Sequence, residues 1–181
     1  MGDTANGLLG AVIAIAATAC GSGAGGLEEL AGYYEAEYRG YNPDACVDGG
    51  AALPNFTHIR LEMDELLGEE VLAVRKCGGV FPDTCTEGET SRANAYFATD
   101  SGDIVATSPS AYNDDFESCN LRYSYGELLP RSGERIRFEI RYHEEEIPYQ
   151  SGQCVESIAE QRGRSMPCVS FESLGGTRVM N

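Results

Sequence analysis

Apolar and polar residues alternate with a period of two in several stretches of the chain. Ile136, Phe138 and Ile140 alternate with charged residues, and residues 58–64 and 169–172 show the same period. This alternation is typical of antiparallel strands with one buried face and one solvated face. Turn-forming residues separate the stretches. The pattern predicts strands near residues 33–41, 57–66, 70–77, 93–99, 103–108, 119–128, 134–143, 153–160 and 167–174.

Short sequential strands of this kind predict an all-β fold. We expect an antiparallel meander of about eight strands that forms a barrel or a sandwich and makes up a single domain over residues 32–181. The interior of such a barrel either holds one small ligand or is filled by its own side chains. Leu27, Leu30 and Tyr34 also fit helical spacing, so a short helix is expected to precede or replace the first strand.

The N-terminus carries an uncharged apolar run over residues 7–19 that stops at Cys20. The run is shorter than the roughly 20 residues that a membrane-spanning helix needs. Its length and its small residues at the end are typical of an export signal. We therefore expect a signal peptide over residues 1–19 and a Gly/Ser-rich tether over residues 20–31. A dinucleotide-binding glycine motif within 21–26 is the weaker interpretation, because no alternation of strands and helices follows it.

The four residues Ala17-Thr18-Ala19-Cys20 resemble the lipobox of bacterial lipoproteins. The resemblance implies cleavage before Cys20, acylation of its thiol and attachment of the domain to a membrane through the acyl chains. Ser22 lies where an Asp retains many such proteins in the inner membrane, so the resemblance implies an outer-membrane lipoprotein that faces the periplasm or the cell surface. Ala17-Thr18-Ala19 also fits ordinary signal cleavage, which would release a soluble protein.

The residues Gly32-Tyr33-Tyr34, at the first predicted strand, resemble the start of the small lipocalin-like barrels found among exported lipoproteins. Lipocalins carry Trp at the position of Tyr34, and this chain contains no Trp. A small apolar molecule is the ligand that such a barrel would hold.

The chain has seven cysteines, and six remain when Cys20 is assigned to the lipid anchor. An even number of cysteines in an exported domain predicts a disulfide framework, although sequence alone leaves its connectivity open. No C-x-x-C pair is present, so no metal site is predicted. Spacing and predicted turns favour the pairs Cys77–Cys85 and Cys154–Cys168, and by elimination Cys46–Cys119.

The chain is strongly acidic, with 29 Asp and Glu against 13 Lys and Arg and a formal charge of −16. This surface repels phosphate backbones, so nucleic acid is not an expected partner. We also predict no cofactor. The paired acidic residues do not form a calcium-loop motif and are expected to be solvated.

Tyrosine is the residue type most suited to a binding role, with ten in the chain. Its large ring and its hydroxyl suit ligand pockets, but sheets also favour Tyr for packing alone. Candidate ligand-binding residues are Tyr34, Tyr123, Tyr125 and Tyr142.

Catalytic chemistry has little support in the sequence. The chain lacks a G-x-S-x-G nucleophile motif. His143 and Glu145 share one face of a predicted strand, and we expect that face to be solvated because Phe138 and Ile140 lie on the other. We therefore predict no catalytic residue. The expected protein is a lipid-anchored envelope protein that binds a small ligand or a partner; a structural protein with a filled barrel, or a hydrolase that uses His143, is the alternative.

Overall fold

The computed structural model describes residues 26–43, 46, 51–52, 56–86, 88–113, 117–131, 134–150 and 152–180. The predicted signal peptide, Cys20 and the first part of the predicted tether lie outside the described residues.

The described chain folds mainly as strands, as the period of two predicts. The nine strands are β1 (Gly32–Asn42), β2 (Ala51–Ala52), β3 (His58–Leu66), β4 (Glu69–Cys77), β5 (Ala95–Ala98), β6 (Ile104–Tyr112), β7 (Ser118–Arg131), β8 (Arg135–Pro148) and β9 (Cys168–Met180). One helix, α1, covers Glu156–Arg162. Short 3₁₀ turns lie at Glu28–Leu30, Pro82–Thr84 and Gly163–Ser165.

The strands form one antiparallel sheet that closes on itself. β3 to β9 pair in sequence order, and β1 pairs with both β3 and β9. The short strand β2 also pairs with β1. The longest ladder joins β7 to β8, from Ser118↔Pro148 to Arg131↔Arg135. The prediction of an all-β antiparallel meander is confirmed, and the 3₁₀ turn at Glu28–Leu30 precedes the first strand.

The two ends of the closed sheet differ in their connections. We call the end with the turns after β3, β5 and β7 the hairpin end, and the opposite end, with the connections after β4, β6 and β8, the loop end. The start of β1 lies at the hairpin end, because Tyr33 pairs with Met180 at the end of β9, and this end of β9 runs beside the start of β8 at Arg135↔Thr177.

Apolar side chains fill the interior of the closed sheet near the hairpin end. Tyr34 and Leu27 are each 1% exposed, so the segment before β1 covers this end of the core. Burial of this much apolar surface is the main stabilising contribution to the fold. The interior cluster consists of Leu27, Tyr34, Phe56, Ile59, Leu61, Leu72, Tyr96, Ile104, Ala106, Leu128, Ile136, Phe138 and Leu174.

A second apolar cluster lies outside the closed sheet, where α1 packs on β6 and β7. Leu121 and Cys119 are fully buried beneath Ala159 and Met166. The strand predicted at residues 153–160 is wrong, because this segment forms α1. Ile158 and Ala159 contribute its apolar contacts with the outer face of β7.

The cysteines form three disulfides, as predicted, but only one predicted pair is correct. Cys77 and Cys85 are joined. The predicted pairs Cys154–Cys168 and Cys46–Cys119 are wrong; the structure joins Cys46 to Cys168 and Cys119 to Cys154, with Cα atoms 5.8 and 5.6 Å apart.

The actual pairing follows from strand order. The segment after β8 returns beside the start of β7, where the Tyr149 amide donates to the Glu117 carbonyl, and Cys154 therefore reaches Cys119. The end of β1 pairs with the start of β9 at Asn42↔Phe171, which brings Cys46 to Cys168. Three disulfides in one small domain are typical of an oxidising, extracytoplasmic compartment.

Candidate functional site: a cavity inside the closed sheet

A cavity of about 160 Å³ lies in the interior, between the apolar core and the loop end. Strands β4, β5, β8 and β9 supply most of its wall. Apolar side chains cover one part of this wall and a small polar group covers the other. The lining residues are Val74, Lys76, Ala93, Asn94, Tyr96, Phe138, Ile140, Tyr142, Glu172 and Leu174.

Glu172 is the central polar residue of the wall and is 8% exposed. Arg39 Nε donates to its Oε1 over 2.7 Å, and the Tyr142 hydroxyl donates to its Oε2 over 3.2 Å. A buried carboxylate requires such partners, because removing it from water is costly. Glu172 lies on the interior side of β9 because it pairs with Ile140 of β8.

Tyr142 keeps its phenolic proton over the physiological pH range. Burial, together with the nearby charge of Glu172, raises the pKa of Tyr142 to about 12. Tyr142 therefore acts as a neutral hydrogen-bond donor to the carboxylate.

Tyr96 crosses the interior from β5 and is 3% exposed. Its ring meets Phe138 edge to face, with the ring centroids 5.3 Å apart. Its hydroxyl lies against Gly126 of β7, where an added Cβ would be 2.8 Å from the Tyr96 oxygen. Burial, followed by the effects of Tyr142 and Glu172, raises the pKa of Tyr96 well above its ordinary value, so this phenol is also neutral.

A second cavity, of about 260 Å³, adjoins the first at Tyr142. The hydroxyls of Ser108, Ser110 and Ser124 contribute to its wall. Arg122 also contributes, and its Nε lies 3.0 Å from Oε1 of Glu144. The interior thus changes from apolar side chains near the hairpin end to polar side chains towards the loop end.

Of the four predicted ligand-binding tyrosines, Tyr142 lines the first cavity, and Tyr142 and Tyr123 contribute to the wall of the second. Tyr34 lies in the core, where its hydroxyl donates to the Leu30 carbonyl over 2.8 Å. Tyr123 and Tyr125 lie on the outer face of β7: Tyr123 packs in the cluster beneath α1, and the Arg164 guanidinium lies 4.4 Å from the Tyr125 ring centroid.

Sequence reasoning missed the other polar residues of the cavity, which are Lys76, Asn94, Tyr96 and Glu172. The alternation in 169–172 assigns Phe171 to the buried face and Glu172 to the solvated face. The structure buries both, because β9 contacts the interior on one face and other side chains on its opposite face. One such contact is the Arg141 guanidinium, 5.3 Å from the Phe171 ring centroid.

His143 does not lie on a solvated face, so that prediction is wrong. The residue is 6% exposed, and its ring lies beside the Tyr123 ring, with the centroids 6.4 Å apart. Its Nδ1 lies 3.0 Å from the carbonyl oxygen of Met166, while its Nε2 is buried without a partner among the described residues. Glu145 is instead paired with Arg162 of α1. These contacts hold the segment after α1 against β8.

The described residues show neither a metal-type cluster nor a membrane-spanning helix. They contain no group of three or more side chains suited to a metal ion. No helix in the described ranges has the length and hydropathy needed to cross a bilayer. Comparisons of the chain with protein-family models, curated proteins and solved structures find no match.

Proposed function

We propose that the protein is an exported, non-catalytic module that binds a small, mostly apolar molecule in the interior cavity. The cavity next to Leu174, with apolar side chains on one part of its wall and polar side chains around Glu172 on the other, is the observation that carries this proposal. Ligand sites typically combine an apolar wall with a few polar groups that orient the ligand.

The dimensions of the cavity limit the ligand to a small molecule. A dry apolar cavity of about 150 Å³ is large enough for one benzene-sized molecule. The cavity of about 160 Å³ is of this size, and the adjoining cavity at Tyr142 gives room for a polar substituent.

The proposal includes export and attachment to a membrane. The disulfide framework supports export, and the lipobox-like sequence that ends at Cys20 supports lipid attachment. Leu27 packs at the hairpin end, a few residues after Cys20. A lipid on Cys20 would therefore hold the hairpin end towards the membrane and leave the loop end directed away from it.

Cavity filling tests the binding function. Val74→Phe adds a ring to the cavity wall, whereas Val179→Phe makes the same change at an exposed position, where Val179 is 46% exposed. After incubation with toluene, native mass spectrometry should detect a one-molecule adduct on the wild type and on Val179→Phe, but not on Val74→Phe. If no form binds toluene, or if Val74→Phe binds it as well as the wild type does, this cavity is not the binding site.

Attachment through Cys20 is tested by the intact mass of protein extracted from membranes. The wild type should carry the mass of acyl chains and lack residues 1–19, and Cys20→Ser should abolish acylation and appear in the soluble fraction. A Cys20→Ser variant that stays in the membrane with unchanged mass would refute the lipid anchor.

A further inference from the structure

The Tyr96 hydroxyl is a hydrogen-bonding group without a partner inside the protein. Tyr96 is 3% exposed and lines the cavity, and its hydroxyl makes no hydrogen bond with any described residue. The oxygen is not one of the fully enclosed unpaired atoms among the described residues, so it borders open space, where a bound molecule can pair with it. A Phe at this position would fill the same space without burying a hydroxyl.

The polar group opposite Tyr96 offers acceptors. The Glu172 carboxylate receives one hydrogen bond from Arg39 and one from Tyr142, and an ionised carboxylate has about four acceptor sites. The cavity therefore presents an unused donor on Tyr96 and unused acceptor sites on Glu172, beside an apolar wall.

We propose that the cavity binds a phenol-class ligand, an aromatic ring with one hydroxyl, and that Tyr96 and Glu172 recognise the hydroxyl together. The ligand oxygen accepts from Tyr96, and the ligand hydroxyl donates to Glu172. The ring packs against the apolar wall that contains Phe138 and Ile140. This inference rests on the proposed binding function and specifies the ligand.

Other polar groups match the cavity less well. A ligand carboxylate would find a cation in Lys76, which also lines the cavity, but it carries no proton to donate to Glu172, so the acceptor sites of Glu172 would stay unused. A ligand ammonium group would pair with Glu172 but has no lone pair to accept a hydrogen bond from Tyr96. A hydroxyl is a donor and an acceptor at once, so it satisfies both residues.

Phenol and toluene provide the test, because a hydroxyl replaces a methyl group on the same ring. Dissociation constants are measured by ligand-observed NMR for the wild type, for Tyr96→Phe and for the control Tyr125→Phe on the outer face of β7. We expect the wild type and Tyr125→Phe to bind phenol about tenfold more tightly than toluene, the effect of one net hydrogen bond. Tyr96→Phe should bind toluene as tightly as the wild type does but show a clearly smaller preference for phenol, because only the hydrogen bond to Glu172 remains.

The possible results separate this inference from the proposed function. If toluene binds as tightly as phenol, or if Tyr96→Phe keeps the full preference for phenol, recognition of a hydroxyl by Tyr96 is refuted and the binding cavity stands. If neither compound binds, both are refuted. Thermal unfolding provides a second check, because Tyr96→Phe without ligand should be at least as stable as the wild type; a lower melting temperature would mean that the hydroxyl has a structural partner.

Discussion

Glu172 shows how neighbouring side chains make a charged residue compatible with the interior of the sheet. The carboxylate is held between Arg39, across the β1–β9 ladder, and Tyr142, on the neighbouring strand β8. Each partner compensates part of the hydration that Glu172 loses on folding. The same contacts make the ionisation of Tyr142 unfavourable, since a phenolate there would be buried beside a carboxylate.

Because of Tyr142, we expect the protein to become less stable at alkaline pH. An ordinary Tyr has a pKa of 10.0, whereas Tyr142 in the folded protein has a pKa of about 12. Between these values the unfolded chain loses the proton and the folded protein keeps it, so the free energy of unfolding falls as pH rises. Below pH 10 this contribution is fully present. Urea unfolding over this pH range should show a smaller fall for Tyr142→Phe than for the wild type.

Tyr149→Phe serves as the control, because Tyr149 follows β8 at an exposed position. Its free energy of unfolding should fall with pH as the wild-type value does. Equal slopes for the wild type and Tyr142→Phe would show that Tyr142 ionises equally easily in the folded and unfolded states, contrary to the prediction.

Gly126 leaves room for the Tyr96 side chain, which packs directly against it. A Cβ at this position would lie 2.8 Å from the Tyr96 hydroxyl oxygen and 3.3 Å from its ring carbon Cζ. Tyr96 is too buried to move aside freely, so Gly126→Ala should lower the free energy of unfolding by about 1–3 kcal/mol. Gly88→Ala is the control in urea unfolding, because its Cβ would have no atom within 4 Å.

Removal of the clashing hydroxyl should relieve part of this effect. In a double-mutant cycle, Gly126→Ala should be less destabilising in the Tyr96→Phe background than in the wild type. An additive result would mean that the clash does not involve the Tyr96 hydroxyl.

Of Tyr96, Tyr142 and Glu172, which all line the cavity, the sequence predicts only Tyr142 as a binding residue. Tyr142 belongs to a long regular alternation, and its face is clear from Ile136, Phe138 and Ile140. Glu172 follows Phe171 in a strand that is buried on both faces, where alternation no longer distinguishes inside from outside. Tyr96 lies in the four-residue strand β5, which is too short for a period to be recognised.

At the scale of elements, α1 and the Cys119–Cys154 disulfide form a unit with the outer face of β7. Cys119 is fully buried beside Leu121, and Cys154 packs against the same cluster just before α1. The bridge thus fixes the connection after β8, and α1 covers apolar side chains that would otherwise face solvent.

Loss of this bridge should destabilise the protein more than loss of Cys77–Cys85. The sequence separations are 35 and 8 residues, and a longer closed loop restricts the unfolded chain more strongly. The chain-entropy estimate is about 4 kcal/mol for the longer loop and about 2.5 kcal/mol for the shorter. Urea unfolding of Cys119→Ala/Cys154→Ala, compared with Cys77→Ala/Cys85→Ala, measures the difference, and an equal or smaller loss for the first variant would contradict it.

Most of the strands could be predicted from the sequence, whereas the segment at 153–160 could not be assigned correctly from alternation. Val155, Ile158 and Ala159 are spaced by three and four residues, a helical signal in a segment of only seven helical residues. The predicted Cys154–Cys168 pair requires a turn that brings the two residues together, whereas this segment forms α1 and Cys154 bonds to Cys119. Disulfide pairing depends on which strand ends meet in space, and local spacing contains little of that information.

At the scale of the whole molecule, the two ends of the closed sheet are stabilised differently. The hairpin end has tight turns and an apolar core that Leu27 and Tyr34 cover. All three disulfides lie at the loop end: Cys77 ends β4, Cys119 lies at the start of β7, and Cys168 starts β9. The cavity lies between these two regions, so its wall depends on both.

This arrangement predicts that reduction loosens the loop end first. Hydrogen exchange, measured by mass spectrometry before and after reduction and alkylation, should rise strongly around Leu121 and Ser170 and much less around Leu61 and Ile136. Apolar burial persists without the bridges, whereas the long connections at the loop end lose their crosslinks.

The affinity for toluene should also change on reduction, because the cavity wall includes Glu172 and Tyr142 near the loop end. The reduced and alkylated protein should keep protected amides at the hairpin end and yet lose most of its affinity for toluene. Equal loss of protection at both ends would show that the sheet unfolds as one cooperative unit. Retained affinity after a rise in exchange confined to the loop end would instead show that the apolar wall alone maintains the cavity.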